Sequence, residues 1–185
     1  MSKVNIALSK KDVNVNEKYN KGLSGGWTPL TIACAKNHIE VVKILLKRKD
    51  LLLNQAMDDG ATALYVATQK GHLEIVRLLL SKRLNVNKAK KDGCKPTHAA
   101  ASFGRIEVLR LLLKQPNIDY TTKDNSGKTP QAWAQKKGHE EIVKLLAKEL
   151  EQQRQQMLRR HGKCAQGWPW IHKGNGLYNC AAGGH

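Results

Sequence analysis

The sequence predicts an all-α solenoid, a stack of helix–turn–helix pairs with β-turn fingers, followed by a small cysteine- and histidine-rich module. Four segments align without gaps and begin at Trp27, Ala61, Cys94 and Lys128, which are 34, 33 and 34 residues apart. A fixed period of this length is typical of stacked repeats. Because aromatic residues make up only 5% of the chain, the core must consist mainly of small and aliphatic side chains, which favours closely packed helices.

Each repeat contains signals for two helices and a turn. A Thr-Pro pair such as Thr28-Pro29 begins the first helix, since threonine caps a helix and proline suits its first turn. A pair such as Gly71-His72 separates it from a second helix, in which Ile, Val and Leu recur at helical spacing over residues 75–80. A polar stretch with Asn, Asp and Gly follows and predicts a β-turn.

These motifs resemble ankyrin repeats over about residues 6–150, although Ala63 replaces proline and Arg105 replaces histidine. The resemblance implies an ankyrin-repeat α-solenoid. We predict an incomplete N-terminal capping repeat over residues 1–26, four ankyrin repeats over 27–150, a helical extension over 151–160, and a Cys/His/Trp-rich module over 161–185.

The resemblance also implies that the concave surface, made of turn tips and first helices, binds a protein partner and has no chemistry of its own. Aromatic residues dominate many interfaces, which makes Trp27 and Phe103 candidate anchors. The alternative is that Trp27 packs against the N-terminal half-repeat and Phe103 against a neighbouring turn. On this register the candidate contacts are Trp27, Lys36, Asp58, Asp59, Ala61, Gln69, Lys70, Lys91, Asp92, Cys94, Ser102, Phe103, Asn125, Ser126, Lys128, Lys136 and Lys137.

The chain carries 32 basic and 15 acidic residues, a net charge of +17, which predicts attraction to acidic partners. We expect a monomeric protein–protein interaction scaffold or adaptor whose partner has an acidic surface. One alternative is a basic nucleic-acid-binding protein, although no RNA- or DNA-reading motif is present. Another is the recruiting N-terminal part of a longer enzyme.

The histidines of the repeats are expected to be structural rather than catalytic. Three histidines occupy the position between the two helices: His38, His72 and His139. His98 lies where ankyrin repeats have the histidine of Thr-Pro-Leu-His. The resemblance implies that both positions are hydrogen-bonding scaffold positions. Cys34 occupies a small-residue position and is expected to be buried. Because no phosphate-binding loop or triad order appears, the repeats are not expected to be an enzyme.

The last 25 residues contain candidate zinc ligands at His161, Cys164, Cys180 and His185, a spacing of H-x2-C-x15-C-x4-H. Zinc in structural sites prefers four such ligands in a tetrahedron. We therefore predict one structural zinc here and no cofactor for the repeats. The alternatives are a metal-free cap packed by Trp168 and Trp170, a catalytic Cys164, or a purification-tag origin for His185.

The location of the protein is expected to be intracellular, either cytoplasmic or nuclear. No apolar run approaches the length of a membrane-spanning helix, and the N-terminus lacks the pattern of a secretory signal peptide. Four cysteines at irregular spacing do not form a disulfide framework, so the thiols are expected to be reduced.

Overall fold

The computed structural model describes residues 13–19 and 25–161, and within them the chain forms four pairs of helices. The prediction of an all-α ankyrin-repeat solenoid is confirmed for this part of the chain, whereas the predicted Cys/His module lies outside it. The helices are α1 (Pro29–Ala35), α2 (Ile39–Leu45), α3 (Ala63–Lys70), α4 (Leu73–Leu80), α5 (Pro96–Ser102), α6 (Ile106–Leu113), α7 (Pro130–Lys137) and α8 (Glu140–His161).

The helices form two layers. Helices α1, α3, α5 and α7 each contact the next in that order, and α2, α4 and α6 form a second row behind them. The side chains between the layers are aliphatic, and Leu45, Ile75, Leu79 and Leu109 are fully buried. Each such side chain contributes about 1.5–3 kcal/mol relative to an exposed position, so the stacking of repeats supplies most of the stability.

Local sequence explains where the first helix of each repeat begins. The hydroxyl oxygens of Thr28, Thr62 and Thr129 each accept a hydrogen bond from a backbone N–H three residues later, at 3.2–3.3 Å. These bonds satisfy donors that a helix leaves unpaired at its start. In the third repeat Lys95 replaces threonine, and its backbone N–H donates instead to His98 Nδ1 at 3.2 Å.

The segments between repeats form β-turn fingers that pack against α1, α3, α5 and α7, which we call the inner helices. Each finger is closed by paired backbone hydrogen bonds, such as Met57 N–H to the Ala61 carbonyl at 2.8 Å. Neighbouring fingers are also bonded, through Lys91 N–H to Asp59 O at 2.9 Å and Asn125 N–H to Asp92 O at 3.0 Å. The fingers therefore stack as a continuous edge of the molecule.

The N-terminal end of the described array packs against the repeat that follows it, and the C-terminal end is extended by a long helix. Val15 is fully buried in the core, and Asn16 hydrogen-bonds the backbone of Asp50 and Leu52 in the next repeat. At the other end α8 continues to His161, past the repeat, so the predicted helical extension is helical here. No helix in residues 13–19 and 25–161 is long and apolar enough to cross a membrane.

Candidate protein-binding surface

The exposed C-terminal ends of the inner helices form a row of residues in the same register of each repeat. Lys36, Lys70, Phe103 and Lys137 each directly precede a residue with a positive φ angle, and all four side chains are exposed. We call these four residues the helix-end row. The positive φ angles, 58° at Asn37 and 68–81° at the three glycines, end each helix at the same position.

Hydrogen bonds between repeats hold the helix-end row in place. His72 Nε2 lies 3.3 Å from the Ala35 carbonyl oxygen, and His139 Nε2 lies 3.2 Å from that of Ser102. Arg105 takes the histidine position in the third repeat, and its Nε–H donates to the Gln69 carbonyl at 3.1 Å. Each of these carbonyls belongs to the residue just before a member of the row, so adjacent helix ends are fixed relative to each other. His72 and His139 thus occupy structural positions, as the sequence predicts.

Phe103 is the apolar member of the row, and 45% of its surface remains exposed. Its backbone N–H donates to the Ala99 carbonyl at 3.0 Å, so the residue is anchored at the helix end while its ring is accessible. Single exposed apolar residues are common on protein surfaces. Phe103 is distinguished by its place in a row whose other members are lysines.

The lysines of the helix-end row have no carboxylate partner among the described residues. Ion pairs within 4.0 Å in that part of the chain include none of Lys36, Lys70, Lys136 and Lys137. The row is therefore a positively charged strip that carries one exposed aromatic ring.

The fingertips have a different charge arrangement. Lys18 lies 3.4 Å from Asp58, and Lys90 lies 3.4 Å from Asp59 and 3.2 Å from Asp92. The Lys90 ammonium also lies 5.3 Å from the centroid of the Tyr65 ring, a cation–π distance. The fingertip charges are thus largely compensated between neighbouring fingers, while Lys91, Asn125 and Ser126 remain exposed.

The last finger is built around Asp124, a buried carboxylate. It accepts hydrogen bonds from Ser126, from the backbone N–H of Lys128 at 2.9 Å, and from the Trp133 indole at 2.6 Å. Burial alone would raise the pKa of Asp124, but these hydrogen bonds hold that pKa well below its ordinary value. Asp124 therefore stays ionised and organises the finger.

Trp133 is a surface residue that the sequence analysis missed. Its ring lies 5.4 Å from the Lys128 ammonium and 5.3 Å from the Lys136 ammonium, so two candidate contact lysines are held beside it. The repeat register could have identified Trp133, because the equivalent residues in the other repeats are smaller: Ile32, Val66 and Ala99. A large aromatic there indicates that the last repeat differs from the others on this surface.

Three of the candidate contacts are partly or fully buried. Ala61 is 3% exposed, so the expectation that it contacts a partner is wrong. Trp27 is half-buried and packs, together with Cys94, against a cluster formed by Met57, Tyr65 and neighbouring residues.

Burial and the nearby Asp92 and Asp124 raise the pKa of the Cys94 thiol to about 12, which keeps it protonated and unreactive. Cys34 is fully buried as expected, and burial raises its pKa to about 12 as well.

The predicted zinc ligands cannot be placed on this surface. Cys164, Cys180 and His185 lie outside the described residues, and His161 is described only as the last residue of α8. Within residues 13–19 and 25–161 no group of three or more potential metal ligands comes together.

Comparison with known families agrees with the fold. A family model described as ankyrin repeats (3 copies) matches residues 2–90 and again residues 84–157. No curated protein matches the chain. The two family matches cover well over half of the sequence and extend across all four helix pairs. The chain therefore belongs to the ankyrin repeat family.

Proposed function

We propose that the protein is an adaptor that binds an acidic protein partner through its concave surface. Ankyrin repeats generally mediate protein–protein interactions. The observation that carries the proposal is the helix-end row, in which Lys36, Lys70 and Lys137 lack carboxylate partners among the described residues and flank an exposed Phe103. Cross-repeat hydrogen bonds hold this row in register, so little order has to be gained on binding.

The two kinds of residue in the row would contribute differently. An exposed lysine–carboxylate contact is worth about 1 kcal/mol or less, but unpaired lysines accelerate encounter with an acidic surface. An aromatic ring that becomes fully desolvated contributes 2 kcal/mol or more at interface hot spots, as an order of magnitude. Phe103 would therefore set much of the affinity, and the lysines would set the rate and the choice of partner.

The remaining candidate contacts form the two borders of this surface. Gln69, Ser102 and Lys136 lie one position before row members and would extend the contact along the inner helices. Asp58, Asp59, Lys91, Asp92, Asn125, Ser126 and Lys128 lie on the fingers and would meet the partner from the opposite side. Trp27 is half-buried and would contribute less than Phe103.

A nucleic-acid partner is the second candidate, and a specific observation favours it. Exposed basic residues also occur just past the C-terminal ends of α2, α4 and α6, which we call the outer helices. None of these residues makes an ion pair among the described residues: Lys47, Lys49, Lys82, Arg83 and Lys114. Phosphate binding there would make affinity fall steeply with salt. The row that carries Phe103 lies elsewhere, which lets the two candidates be separated.

Site-specific photo-crosslinking tests the proposal. A photoreactive phenylalanine analogue would replace Phe103 in one protein and the exposed Arg77 on α4 in a control. We expect discrete crosslinked proteins from position 103 only, and their loss when Lys70→Glu and Lys137→Glu are added. Crosslinks from position 77 alone, or crosslinks to nucleic acid, would contradict the adaptor function proposed here.

The zinc site over residues 161–185 stays a prediction that a metal analysis can test. Residues 1–185 and 1–160 would be purified without a histidine tag and compared by elemental analysis. We expect about one zinc per chain in the longer protein only, because four Cys and His ligands suit a single tetrahedral ion. If neither protein contained metal, Cys164 and Cys180 would be ordinary thiols.

A further inference from the structure

We propose that the helix-end row recognises an extended acidic segment with one apolar side chain, in which acidic residues lie three positions before and three positions after the apolar residue. The apolar side chain would contact Phe103, and the two acidic residues would contact Lys70 and Lys137. This inference rests on the proposed function and specifies the chemistry of the partner segment.

The spacing follows from the geometry of the stack. Inner helices α3, α5 and α7 pack against one another in sequence, and packed helices lie roughly 8–10 Å apart. An extended chain in the polyproline II conformation advances about 3.1 Å per residue and turns once every three residues. Side chains three positions apart therefore point the same way and lie about 9 Å apart, which matches contacts in adjacent repeats. Lys36 lies one repeat beyond Lys70, so a further acidic residue about six positions from the apolar residue would reach it.

The single aromatic ring explains why one apolar residue is enough. The row contains Phe103 as its apolar member, and its other positions offer lysines, whose ammonium groups favour carboxylates. An amphipathic helix would need several apolar contacts at positions i, i+3 or i+4 and i+7. The row does not provide such a stripe, so an extended segment fits it better than a helix.

The structure also separates Lys137 from its neighbour Lys136 as the contact in the last repeat. The Lys136 ammonium lies 5.3 Å from the centroid of the Trp133 ring, where it already has an electrostatic partner. Lys137 makes neither an ion pair nor a cation–π contact among the described residues. A carboxylate would thus gain more at Lys137, which also continues the register of Lys70 and Phe103.

Peptide binding to the full chain tests this inference. The probe is a fluorescein-labelled peptide Glu-Ser-Ser-Glu-Ser-Ser-Leu-Ser-Ser-Glu, and affinity is measured by fluorescence polarisation. A second peptide of the same composition places two glutamates directly beside the leucine, and a third replaces leucine with serine. We expect the first peptide to bind at least about tenfold more tightly than the third, which lacks the central apolar contact. We expect it to bind several-fold more tightly than the second, in which two glutamates no longer reach their lysines, at about 1 kcal/mol or less each.

Protein variants locate the binding site. Phe103→Ser should weaken binding of the first peptide at least about tenfold, whereas Phe103→Leu should largely retain it. The charge change in Lys70→Glu with Lys137→Glu should weaken it similarly. The same change at the outer-helix ends, Lys47→Glu with Lys82→Glu, is the matched control and should alter affinity by less than about twofold. Circular dichroism of each variant checks that the fold is intact.

Three results would overturn the inference. These are equal binding of the first two peptides, equal weakening by the row variant and the control variant, or no binding of the first peptide. If the crosslinks from position 103 still form in that case, the adaptor function stands without this recognition pattern. If those crosslinks are also absent, the proposed function fails as well.

Discussion

The fingertips and the helix-end row border the same surface but treat their charges in opposite ways. Lys90 on one finger reaches Asp59 on the preceding finger and Asp92 beside it, so fingertip charge is used to join repeats. Lys36 instead has a like charge, Lys70, at the same register position in the next repeat. Two unit charges about 9 Å apart in water repel by roughly 0.5 kcal/mol, so the row slightly opposes stacking.

This difference indicates which edge is structural and which is available for binding. In a repeat array each unit contacts only its neighbours, so a residue meets mainly its own register position one repeat away. Opposite charges at that position stabilise the stack, whereas like charges remain available for a binding partner to neutralise. Substitutions on the fingertips should therefore change the free energy of unfolding, whereas substitutions in the helix-end row should change partner binding.

The largest expected effect is on the fingertip stack. At Gly60, which has φ of 88°, an added Cβ would lie 2.8 Å from the backbone nitrogen of Lys91 on the next finger. We expect Gly60→Ala to lower the free energy of unfolding by about 2–4 kcal/mol, from the left-handed backbone and the clash together. The matched control is Gly127→Ala, where φ is 76° and nothing lies within 4 Å, with a cost of about 1 kcal/mol. Urea denaturation measures both, and equal costs would mean that fingertip contact adds little.

The next effect concerns the carboxylate of the last finger. Asp124→Ala should cost about 2–4 kcal/mol of unfolding free energy, because buried N–H donors and the Trp133 indole lose their acceptor. Asp58→Ala removes an exposed carboxylate 3.4 Å from Lys18 and should cost less than about 0.5 kcal/mol.

The same carboxylate predicts a loss of stability in acid. Its pKa is lower in the folded protein than the ordinary value of 3.8, so its contribution is present above pH 3.8 and is lost as the pH falls further. The Asp124→Ala variant should lose less stability than the wild type over this range. Parallel loss in both proteins would contradict the role given to Asp124.

A third prediction compares one lysine from each edge. Lys90→Ala should lower the free energy of unfolding by about 1 kcal/mol, since it removes two ion pairs and a cation–π contact with Tyr65. Lys70→Ala should change it by less than about 0.5 kcal/mol while weakening partner binding. If urea denaturation showed Lys70 to be the more stabilising of the two, the distinction between the edges would be wrong.

The smallest effect is a pH dependence centred on His98, which joins the third and fourth repeats. Its Nδ1 accepts from Lys95 N–H, and its Nε2 lies 3.2 Å from the Lys128 carbonyl. Burial lowers the pKa of His98 below 6.5, so the unfolded chain takes up a proton first and stability falls as the pH drops below 6.5. We expect the stability difference between wild type and His98→Gln, about 1 kcal/mol at pH 7.5, to shrink at pH 5.5. Urea denaturation at both pH values measures this, and a constant difference would argue against a neutral His98.

The fold and much of the surface could be predicted from the sequence, because their signals are local. The repeat period, Thr-Pro starts and Gly-His breaks are local patterns, and they place Lys36, Lys70, Phe103 and Lys137 in one register before any contact is known. The expected contact at Ala61 is wrong, because the packing of the fingers buries that residue. Trp133 was also missed, since its importance depends on Asp124 and two lysines that meet only in the folded chain.

The sequence by itself determined the repeated helix pairs, their boundaries and the excess of positive charge, because periodicity and capping act within about 34 residues. Only the tertiary structure decided which charges are compensated and which remain unpaired. The partners of Lys90, His72 and Arg105 lie about one repeat away and are selected by how the fingers and helix ends stack. Stacking brings equivalent positions together, so the same lysine-rich composition stabilises the fingertips and leaves the lysines of the helix-end row without carboxylate partners among the described residues.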